Sequence, residues 1–503
     1  MLSIGVFLLF AILALLAYLD TRKPSNFPPG PKWFPIIGCA WQFHKLQQKK
    51  GFIAKASEEL ALKYGPLVGI RIGSNRIVFV YGLRATQELL TRDDLQNRPD
   101  GIFYTSRTWG KRRGLIFTDS DYLREQKQFV LKQLKQLGFR KQIVVRSIEQ
   151  EVQGIIDNLR KGIADRAGDG LFQIDDLFGV PILSILWKFM VGYKYGSNEK
   201  EMKELEAIVK ILFGNSLIVG APFSHFPFLR YICPGYSGYN EYVSINEQLT
   251  TFLRKTVNEM KATYNPNMPR GFIDSYLDVL QADQKMSSFS EDQLIAVCLD
   301  LFFAGYETSS KILSMIFLLT LLHPDIQKKA QVEMDKVVGR SRLPTLEDRP
   351  LLPYVESIIL ESLRMFAGRG FLIPRRAMKD STLNGYFIPK GTFIQANSGG
   401  TLLDEGAGWK NPKTFDPERL MKDGALNIPD NFILFGLGKR RCLGDTLARA
   451  NIFLIVASLI HIFHFKPAPG SPPALEIVES FTPSLKPFKA FVTLRQPFGV
   501  NSS

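Results

Sequence analysis

The sequence is poor in the residues that build disulfide frameworks, zinc sites and hydrolase triads. Its 503 residues include only four cysteines and five histidines, and no two cysteines have the Cys-x-x-Cys spacing of metal or redox motifs. This scarcity argues against a disulfide-stabilised protein and fits a reducing compartment. No Ser-His-Asp order, Walker loop or GxGxxG motif is evident, so the sequence gives no sign of a nucleotide site of its own.

Acidic residues are outnumbered. Lys and Arg total 63 against 48 for Asp and Glu, which gives a net charge of +15. A basic surface can meet nucleic acid, anionic lipid or an acidic protein partner. Because no nucleic-acid-binding motif appears, no nucleic acid is expected, and membrane and protein partners are favoured. Hydrophobic residues make up 45% of the chain, enough for a large core.

The N-terminus begins with a long hydrophobic run. Leu2 to Leu19 is apolar apart from Ser3 and Gly5, at the short end of the range for a transmembrane helix. A signal peptide is the alternative, but it normally has a basic region before a shorter apolar core. Here the basic residues follow the run, beginning at Arg22, so the positive-inside rule keeps the rest cytosolic. We therefore expect residues 1–20 to be an uncleaved transmembrane signal anchor.

Prolines follow the apolar run. Four of them lie between Pro24 and Pro31, and such a segment forms a stiff, extended spacer. We expect residues 21–40 to be a Pro-rich hinge and residues 41–503 to form one catalytic domain. Within it, Leu67–Tyr81 and Leu383–Gly391 have the alternation and turn residues of β-hairpins.

A glycine-rich loop, Phe435 to Gly444, contains a single cysteine and precedes a helical pattern. The glycines on both sides of Cys442 let the backbone pass very close to a flat group. Basic neighbours and backbone N–H groups would lower the pKa of the thiol and favour the thiolate, a strong metal ligand. The alternative is a buried cysteine in a tight turn, which is the usual fate of a lone cysteine.

The spacing of Phe435, Gly438, Arg440, Cys442 and Gly444 resembles the haem-ligand loop of the cytochrome P450 superfamily. The resemblance implies that the Cys442 thiolate is the axial ligand of the iron of haem b. It also implies that Phe435, Gly438 and Arg440 help to bind the cofactor. Thiolate ligation pushes electron density into the iron and favours cleavage of the O–O bond.

The longest predicted helix begins at Ser290, which with Gln293 fits a capping box, and it ends at Leu322 before a proline. Its length is about 50 Å. Its middle, Ala304-Gly305-Tyr306-Glu307-Thr308-Ser309, resembles the oxygen-binding groove of the superfamily. The resemblance implies that Ala304 and Gly305 leave room for O₂, while Glu307 and Thr308 are catalytic and supply protons. The alternative is that they are ordinary polar helix residues.

Two further motifs resemble a structural network of the superfamily. Glu361 and Arg364, in a helix predicted for Leu352–Phe366, lie three residues apart on one face and can pair. Arg419, in a Pro-Glu-Arg segment, would complete the network on the cysteine side of the haem. We expect these three residues to be structural.

Two basic residues are expected, by resemblance, to hold the haem propionates. Lys127 lies in a helix predicted for Tyr122–Leu137, one turn after Leu123, which replaces the usual Trp. Arg375 stands where a His or Arg usually binds a propionate. The missing Trp weakens the first anchor, although Lys127 can still donate.

Several segments are expected to form the substrate side. The loop Arg98–Ser120, the strand with Arg369, Phe371 and Ile373, and the turn Phe481–Phe488 correspond by resemblance to substrate-facing elements. Arg369 is unexpected in an apolar segment and could face a substrate carboxylate, a propionate or solvent. Apolar residues in Leu205–Tyr239 either dip into the bilayer surface or belong to the core; they include Leu217, Ile218, Val219, Phe223, Phe226 and Phe228.

These motifs imply a mainly α fold with a smaller β part, the cytochrome P450 fold. The implied activity is a monooxygenase that uses O₂ and electrons from NADPH, passed on by NADPH-cytochrome P450 reductase. Cytochrome b5 is a second candidate partner, and lysines 132, 135 and 439 are the expected docking residues. The implied location is the endoplasmic reticulum membrane, with a single span and the catalytic domain on the cytosolic face.

The sequence leaves the substrate open. The segments Asp20–Pro24, Arg98–Gly101 and Phe435–Lys439 are most similar to insect members of the clan that includes hormone-processing enzymes. A small hydrophobic substrate, such as a sesquiterpenoid hormone precursor, is one expectation. Arg369 motivates another, an aromatic amino acid that is N-hydroxylated toward an aldoxime. A reductase-independent isomerase or dehydratase, against which the Glu307-Thr308 pair argues, and a non-catalytic membrane-anchored binding protein are the alternative classes.

Overall fold

Helices account for most of the described chain, as the sequence predicts. A computed structural model describes residues 2–140, 143–165, 170–192, 199–214, 221–266, 268–282, 287–468, 470, 473–478 and 482–495. The helices are α1 Leu2–Asp20, α2 Ala40–Lys50, α3 Ile53–Tyr64, α4 Leu83–Thr91, α5 Ile102–Ser106, α6 Ser120–Gln133, α7 Ile143–Asp165, α8 Gly179–Val191, α9 Glu199–Gly214, α10 Pro222–His225, α11 Leu229–Ile232, α12 Tyr239–Ala262, α13 Phe272–Gln281, α14 Glu291–Leu322, α15 Pro324–Val337, α16 Pro353–Ala367, α17 Gly399–Leu402 and α18 Asp445–Ile462.

The strands are short and form one four-stranded sheet and several smaller ones. They are β1 Leu67–Ile72, β2 Asn75–Val80, β3 Leu171–Gln173, β4 Arg375–Arg376, β5 Ser381–Leu383, β6 Tyr386–Ile388, β7 Phe393–Ala396, β8 Met421–Lys422, β9 Ala425–Leu426, β10 Phe463–Pro467, β11 Ile477–Val478, β12 Ser484–Leu485 and β13 Lys489–Leu494. The largest sheet has the order β1-β2-β7-β4, and a three-stranded sheet has the order β10-β13-β3. Both predicted hairpins are present, and Asn384-Gly385 adopts the positive φ angles that its tight turn needs.

The central helix α14 has the start and end that its sequence predicts. The Ser290 hydroxyl accepts a 3.1 Å hydrogen bond from the Gln293 backbone N–H, which satisfies one of the free donors of the first turn. Pro324 cannot continue the helix because it lacks a backbone N–H, and α15 leaves at an angle of 105°. The central helix packs against α8, α12, α16 and α18, so it organises the largest hydrophobic core.

The proline-rich segment does not act as a free spacer. Phe27 and Trp33 are buried in a second core beside the four-stranded sheet. The Arg71 guanidinium of β1 donates two 2.7 Å hydrogen bonds to the Asp20 carboxylate at the end of α1. These bonds hold the pKa of Asp20 below its usual value. The apolar side chains between the prolines therefore pack onto the body, and the role of residues 21–40 as a hinge stays a prediction.

The apolar segments that the sequence predicts to contact the membrane lie in different surroundings in the structure. Among the described residues, one helix, α18, is long and apolar enough to cross a membrane, but 72% of it is buried inside the protein. The predicted anchor, α1, carries exposed apolar side chains among its residues 6–8 and 11–19. Phe223 is fully buried against Phe103 and Tyr242, so its contact with lipid is excluded, whereas Phe228 is exposed. Residues 217–219 lie outside the described part of the chain.

Candidate functional site

The cysteine loop, defined as residues 435–444, closes on itself and then starts α18. The Cys442 backbone N–H donates to the Phe435 carbonyl at 2.9 Å, and the Arg449 guanidinium lies 4.9 Å from the centre of the Phe435 ring. Gly438 has a φ of +67°, and a Cβ there would lie 2.6 Å from the Leu90 carbonyl oxygen. Only glycine fits this position, because both the backbone angle and the close approach exclude a side chain.

The Cys442 side chain is exposed, and the environment of its sulfur differs from the prediction. Desolvation by neighbouring protein atoms raises the pKa of the thiol, although a backbone hydrogen bond from Gly444 acts in the opposite direction. Arg441 also lowers the pKa of the thiol, but by less than desolvation raises it; Arg441 pairs with Asp445, and Arg440 pairs with Asp119. The pKa of Cys442 is therefore raised overall, and the predicted net lowering is wrong. A bound metal ion would supply the missing positive charge, because a coordinating thiol is deprotonated.

The central helix has two exposed residues in its otherwise covered middle. Along its length only Ala304, Thr308 and the terminal Leu322 are exposed. Ala304 and Thr308 are four residues apart and therefore lie on one face. The Thr308 hydroxyl donates to the Ala304 carbonyl at 2.7 Å. The lone pairs of the hydroxyl oxygen therefore remain available to accept a hydrogen bond.

Glu307, next to this face, is buried at 2% exposure. Its Oε1 accepts a 3.0 Å hydrogen bond from the hydroxyl of Thr482. Thr482 belongs to the predicted substrate-side turn, of which Phe481 lies outside the described residues. The turn therefore contacts the central helix directly, at one of the two predicted catalytic residues.

Gly305 lies against Leu186 of the neighbouring helix α8. A Cβ on Gly305 would lie 2.8 Å from a methyl carbon of Leu186 in α8. The glycine thus permits close packing of two helices, and Ala304 is the more exposed residue of the pair. That Ala304 and Gly305 together leave room for oxygen stays a prediction.

Several basic side chains gather near the cysteine loop, and three of them, Arg112, Arg376 and Arg440, pair with the carboxylate of Asp119. Arg440 donates to Asp119 at 2.6 Å, and Lys127 donates to the Lys439 carbonyl of the loop at 2.6 Å. Arg375 and Arg440 lower the pKa of Arg98, Arg440 lowers that of Arg375, and Arg112 lowers that of Arg440. Asp119 acts in the opposite direction on all three. Burial, the largest effect, lowers the pKa of Arg375 to about 9 and that of Arg440 to about 10.

This cluster has an excess of positive charge and spare donors. Two buried nitrogens of Arg375, Nε and Nη1, have no hydrogen-bond partner among the described residues. Because an arginine side chain remains charged in proteins, such a buried group requires an anion. Arg375 and Lys127, as predicted, and Arg98, which the sequence reasoning missed, could therefore bind carboxylates of a prosthetic group beside Cys442.

The predicted structural triad is assembled. Arg364 donates to Glu361 at 2.7 and 2.8 Å, with both side chains fully buried. Arg419 donates to the same carboxylate at 2.9 Å. The remaining donors of both arginines reach backbone carbonyls, among them Leu402 and Thr414, so the charges are compensated as buried charges must be.

The three candidate substrate residues occupy different surroundings. Arg369 turns back to donate to the Met365 carbonyl near the end of α16. Phe371 stacks on Phe79 with ring centroids 5.8 Å apart. The Ile373 carbonyl accepts a 2.9 Å hydrogen bond from Arg98, so this segment is tied to the basic cluster.

One further charged pair was missed. Arg107, from the loop 98–120, donates to Asp300 of the central helix at 2.5 Å, and both side chains are buried. The sequence could have indicated this pair, since Asp300 is a lone acid within the apolar stretch 294–303, and an acid inside such a helix needs a partner.

No group of three or more His, Cys, Asp or Glu that could hold a metal ion occurs in the described chain.

A family model described as Cytochrome P450 matches residues 28–490. The chain belongs to the cytochrome P450 family. It is 36% identical over 98% of its length to "Probable cytochrome P450 303a1" of Drosophila melanogaster, whose own length is covered to 99%. It is 34% identical to "Farnesoate epoxidase" of Bombyx mori over 96% of this chain and 97% of that one, and 31% identical to "Cytochrome P450 2J3" of Rattus norvegicus over 96% and 94%.

Membership of this family makes the protein a haem-thiolate monooxygenase. Such enzymes use O₂ and electrons that originate in NADPH and arrive through a partner reductase, and they act on hydrophobic substrates. The residues present fit the haem: one exposed cysteine in a glycine-rich loop, unpartnered cationic donors beside it, and an open helix face at Ala304 and Thr308.

Proposed function

We propose that this P450 epoxidises or hydroxylates a small apolar isoprenoid substrate of the class to which insect sesquiterpenoid hormone precursors belong. The observation that carries the proposal is the opening of the buried central helix at Ala304 and Thr308, beside the buried carboxylate of Glu307. The substrate class is supported by the 34% identity, over nearly the whole chain, to a protein named farnesoate epoxidase.

The residues have the following roles in this proposal. Cys442 is the axial ligand, and its loop, with Phe435, Gly438 and Arg440, supports the cofactor. Lys127 and Arg375 hold the propionates, and Arg98 adds a third cation. Glu361, Arg364 and Arg419 keep the cysteine side rigid through their buried ion pairs. When bound, the thiolate-ligated haem supplies the chemistry that activates O₂.

Protons are handled by the chain itself. Thr308 can accept a hydrogen bond at its hydroxyl oxygen because it already donates to the Ala304 carbonyl. Glu307 is oriented by Thr482 and kept from bulk water by its burial. This pair therefore delivers protons at the open helix face without admitting bulk water.

We further propose that the protein is held at the endoplasmic reticulum membrane by α1, as residues 1–20, with residues 41–503 in the cytosol. Exposed apolar residues near the short helices α10 and α11 would rest on the bilayer; they are Phe228, Tyr231, Ile232 and Tyr236. NADPH-cytochrome P450 reductase, with cytochrome b5 as an alternative electron donor, would dock near Lys132, Lys135 and Lys439, which are exposed.

The other candidate functions receive less support. Arg369 already donates to a backbone carbonyl, so nothing specific favours an amino-acid substrate and an aldoxime product. The intact pair Glu307-Thr308 argues against an isomerase or dehydratase that dispenses with protons from the helix. The spare donors beside Cys442 argue against a non-catalytic binding protein.

The test begins with the carbon monoxide difference spectrum of the reduced protein, beside Cys442→Ala. A strongly red-shifted Soret band that is lost in the variant is expected. The protein is then combined with reductase and NADPH, and farnesoate and its methyl ester are offered as substrates. An oxygenated product, absent without reductase, supports the proposal, whereas turnover without reductase or no oxidation of either compound contradicts it.

A further inference from the structure

A cavity of about 500 Å³, the interfacial cavity, lies where the end of α1 meets the four-stranded sheet. Its walls come from the last residues of α1, the proline-rich segment, the turn between β1 and β2, and residues 225–228 at the end of α10. Among the residues that line it are Arg22, Trp33, Arg71, Arg76, His225 and Phe228. None of the described residues that line it belongs to the cysteine loop or to the central helix, so this space is distinct from the haem site.

The wall of the interfacial cavity carries more positive than negative charge. Three arginines line it, Arg22, Arg71 and Arg76, against the single carboxylate of Asp20. This carboxylate is already engaged, because it accepts two hydrogen bonds from Arg71. Desolvation lowers the pKa of the lining His225 to about 4, so His225 is neutral at pH 7. Two of the three arginine charges are therefore left uncompensated in the wall, and they attract an anion.

Hydrogen-bond donors without acceptors line the same cavity. Neither the indole Nε1 of Trp33, a residue with 6% exposure, nor the Nε of Arg71, with 8% exposure, has a partner among the described residues. The Arg71 guanidinium lies 5.3 Å from the centre of the Trp33 ring, so these donors are close together. The Arg76 guanidinium also makes no hydrogen bond or ion pair with any residue that the structure describes. Because buried polar groups are as a rule hydrogen-bonded, these donors indicate an acceptor from outside the chain.

The rim of the interfacial cavity is apolar. Leu19, Ile36 and Phe228 line it with exposed side chains. Ile36 has a φ of +65°, which is an outlier for a β-branched residue, and its N–H donates to Asp20 at 2.7 Å. This hydrogen bond holds the strained backbone in place and leaves the Ile36 side chain 71% exposed. A ligand with an anionic head and an apolar body would fit both parts of the cavity.

The end of α1 places the interfacial cavity at the surface of a bilayer. This helix has 19 residues and is therefore about 28 Å long, close to the thickness of about 30 Å of the hydrocarbon core. With α1 as the proposed anchor, Asp20 lies where the hydrocarbon meets the lipid phosphates. The Arg22 guanidinium lies 4.6 Å from the centre of the Tyr18 ring, and tyrosines are enriched at this boundary. A phospholipid beside α1 thus brings its phosphate to the level of the cavity.

We propose that the interfacial cavity binds the phosphate group of one anionic glycerophospholipid of the cytosolic leaflet, with Arg76 and the Trp33 N–H as donors. The acyl chains of this lipid lie along the exposed apolar side chains of α1. A soluble phosphate ion has the same acceptor chemistry but has nothing to cover the apolar rim, which favours the lipid. The inference rests on the proposed anchoring by α1 and is independent of the proposed reaction and substrate.

The experiment measures lipid bound to the full-length, haem-loaded protein in dodecyl maltoside micelles by native mass spectrometry. The probes are dioleoylphosphatidylserine, dioleoylphosphatidylcholine and dioleoylglycerol, which has the same acyl chains without a phosphate. We expect one phosphatidylserine per protein at saturation, bound at least about tenfold more tightly than dioleoylglycerol. Phosphatidylcholine should bind more weakly than phosphatidylserine, because its choline cation faces the arginines. Inorganic phosphate, measured by equilibrium dialysis, should bind far more weakly than phosphatidylserine.

The diagnostic variant is Arg76→Gln, which removes one half-buried charge of the cavity wall. Affinity for phosphatidylserine should fall about tenfold, the effect of losing a hydrogen bond between charged groups, and affinity for dioleoylglycerol should not change. Arg84→Gln is the matched control, because Arg84 also forms no ion pair in the described chain but lies in α4, outside the cavity. It should leave all affinities unchanged. Trp33→Phe keeps an aromatic ring without the N–H and should weaken phosphatidylserine binding several-fold.

Equal wild-type affinities for phosphatidylserine and dioleoylglycerol would overturn the inference whether or not the variants fold. Unchanged phosphatidylserine binding in Arg76→Gln, or equal losses in Arg76→Gln and Arg84→Gln, would overturn it as well. Inorganic phosphate that binds as tightly as the lipid would assign the cavity to a soluble anion instead. Arg76-dependent lipid binding in a protein that oxidises neither candidate substrate would contradict the proposed function alone and leave this inference standing.

Discussion

Thr482 and Glu307 are joined by a hydrogen bond although 175 positions separate them in the chain. The bond links the C-terminal turn to the middle of the central helix. It holds a carboxylate that is only 2% exposed, and it makes the orientation of a proposed proton donor depend on a remote segment.

Replacing Thr482 with Val removes this hydroxyl at almost constant volume. We expect product formed per NADPH consumed to fall several-fold, because a less well-oriented Glu307 delivers protons less reliably. Hydrogen peroxide release should rise correspondingly. Thr482→Ser, which keeps the hydroxyl, is the control. Unchanged coupling in the Val variant would show that Thr482 does not assist Glu307.

Replacing Arg375 with Leu should have opposite effects on the two forms of the protein. The haem-free form should be stabilised or unchanged, since the variant removes a buried charge, two of whose nitrogens have no partner in the described part of the chain. The haem-loaded form should lose about 1.5–3 kcal/mol, the contribution of a charge-assisted hydrogen bond. Thermal unfolding of both forms and transfer of haem to apomyoglobin would measure this. Destabilisation of both forms alike would contradict it.

Replacing Glu361 with Gln should destabilise the fold strongly. Arg364 and Arg419 would then share a neutral partner in a buried site, and breaking such a pair costs about 3–5 kcal/mol. The matched control is Glu418→Gln, since Glu418 pairs with Lys329 at the surface, where an ion pair contributes about 0–1 kcal/mol. Urea unfolding gives both values. Similar losses for the two variants would show that the triad is not a buried network.

Reversing the charge of Lys132 and Lys135 together should weaken docking of the reductase. These side chains are exposed, and long-range attraction between exposed charges acts mainly on the association rate. The reductase concentration at half-maximal rate should rise several-fold at low salt. The difference from wild type should shrink at high ionic strength. A salt-independent difference would instead indicate a disturbed fold.

Patterns with strong local rules were predicted correctly from the sequence. The central helix begins and ends where a capping serine and a proline require it. The hairpin turn forms at Asn384-Gly385, and the Glu361–Arg364 pair is buried because its neighbours are apolar. In each case a few adjacent residues determine the outcome, so no knowledge of distant contacts is needed.

Features that depend on distant contacts were missed or misjudged. The close approach of Leu186 to Gly305 comes from another helix, and Arg440, two residues from Cys442, pairs with Asp119 of a distant segment. Thr482, Arg98 and the Arg107–Asp300 pair acquire their surroundings from segments far away in the chain. A charged residue that lies close to a motif in the sequence therefore does not always interact with that motif in the fold.

The clamp between Arg71 and Asp20 bears on how this enzyme would respond to its lipid environment. The guanidinium also donates to the Phe34 carbonyl at 2.9 Å, and the Ile36 N–H donates to Asp20 at 2.7 Å, so the end of α1 is fixed to the sheet. With α1 as the proposed anchor, the body could not swivel independently of it. A thicker bilayer that alters the tilt of α1 would then rotate the whole body, so bilayer thickness itself would set how the body is oriented to the membrane surface.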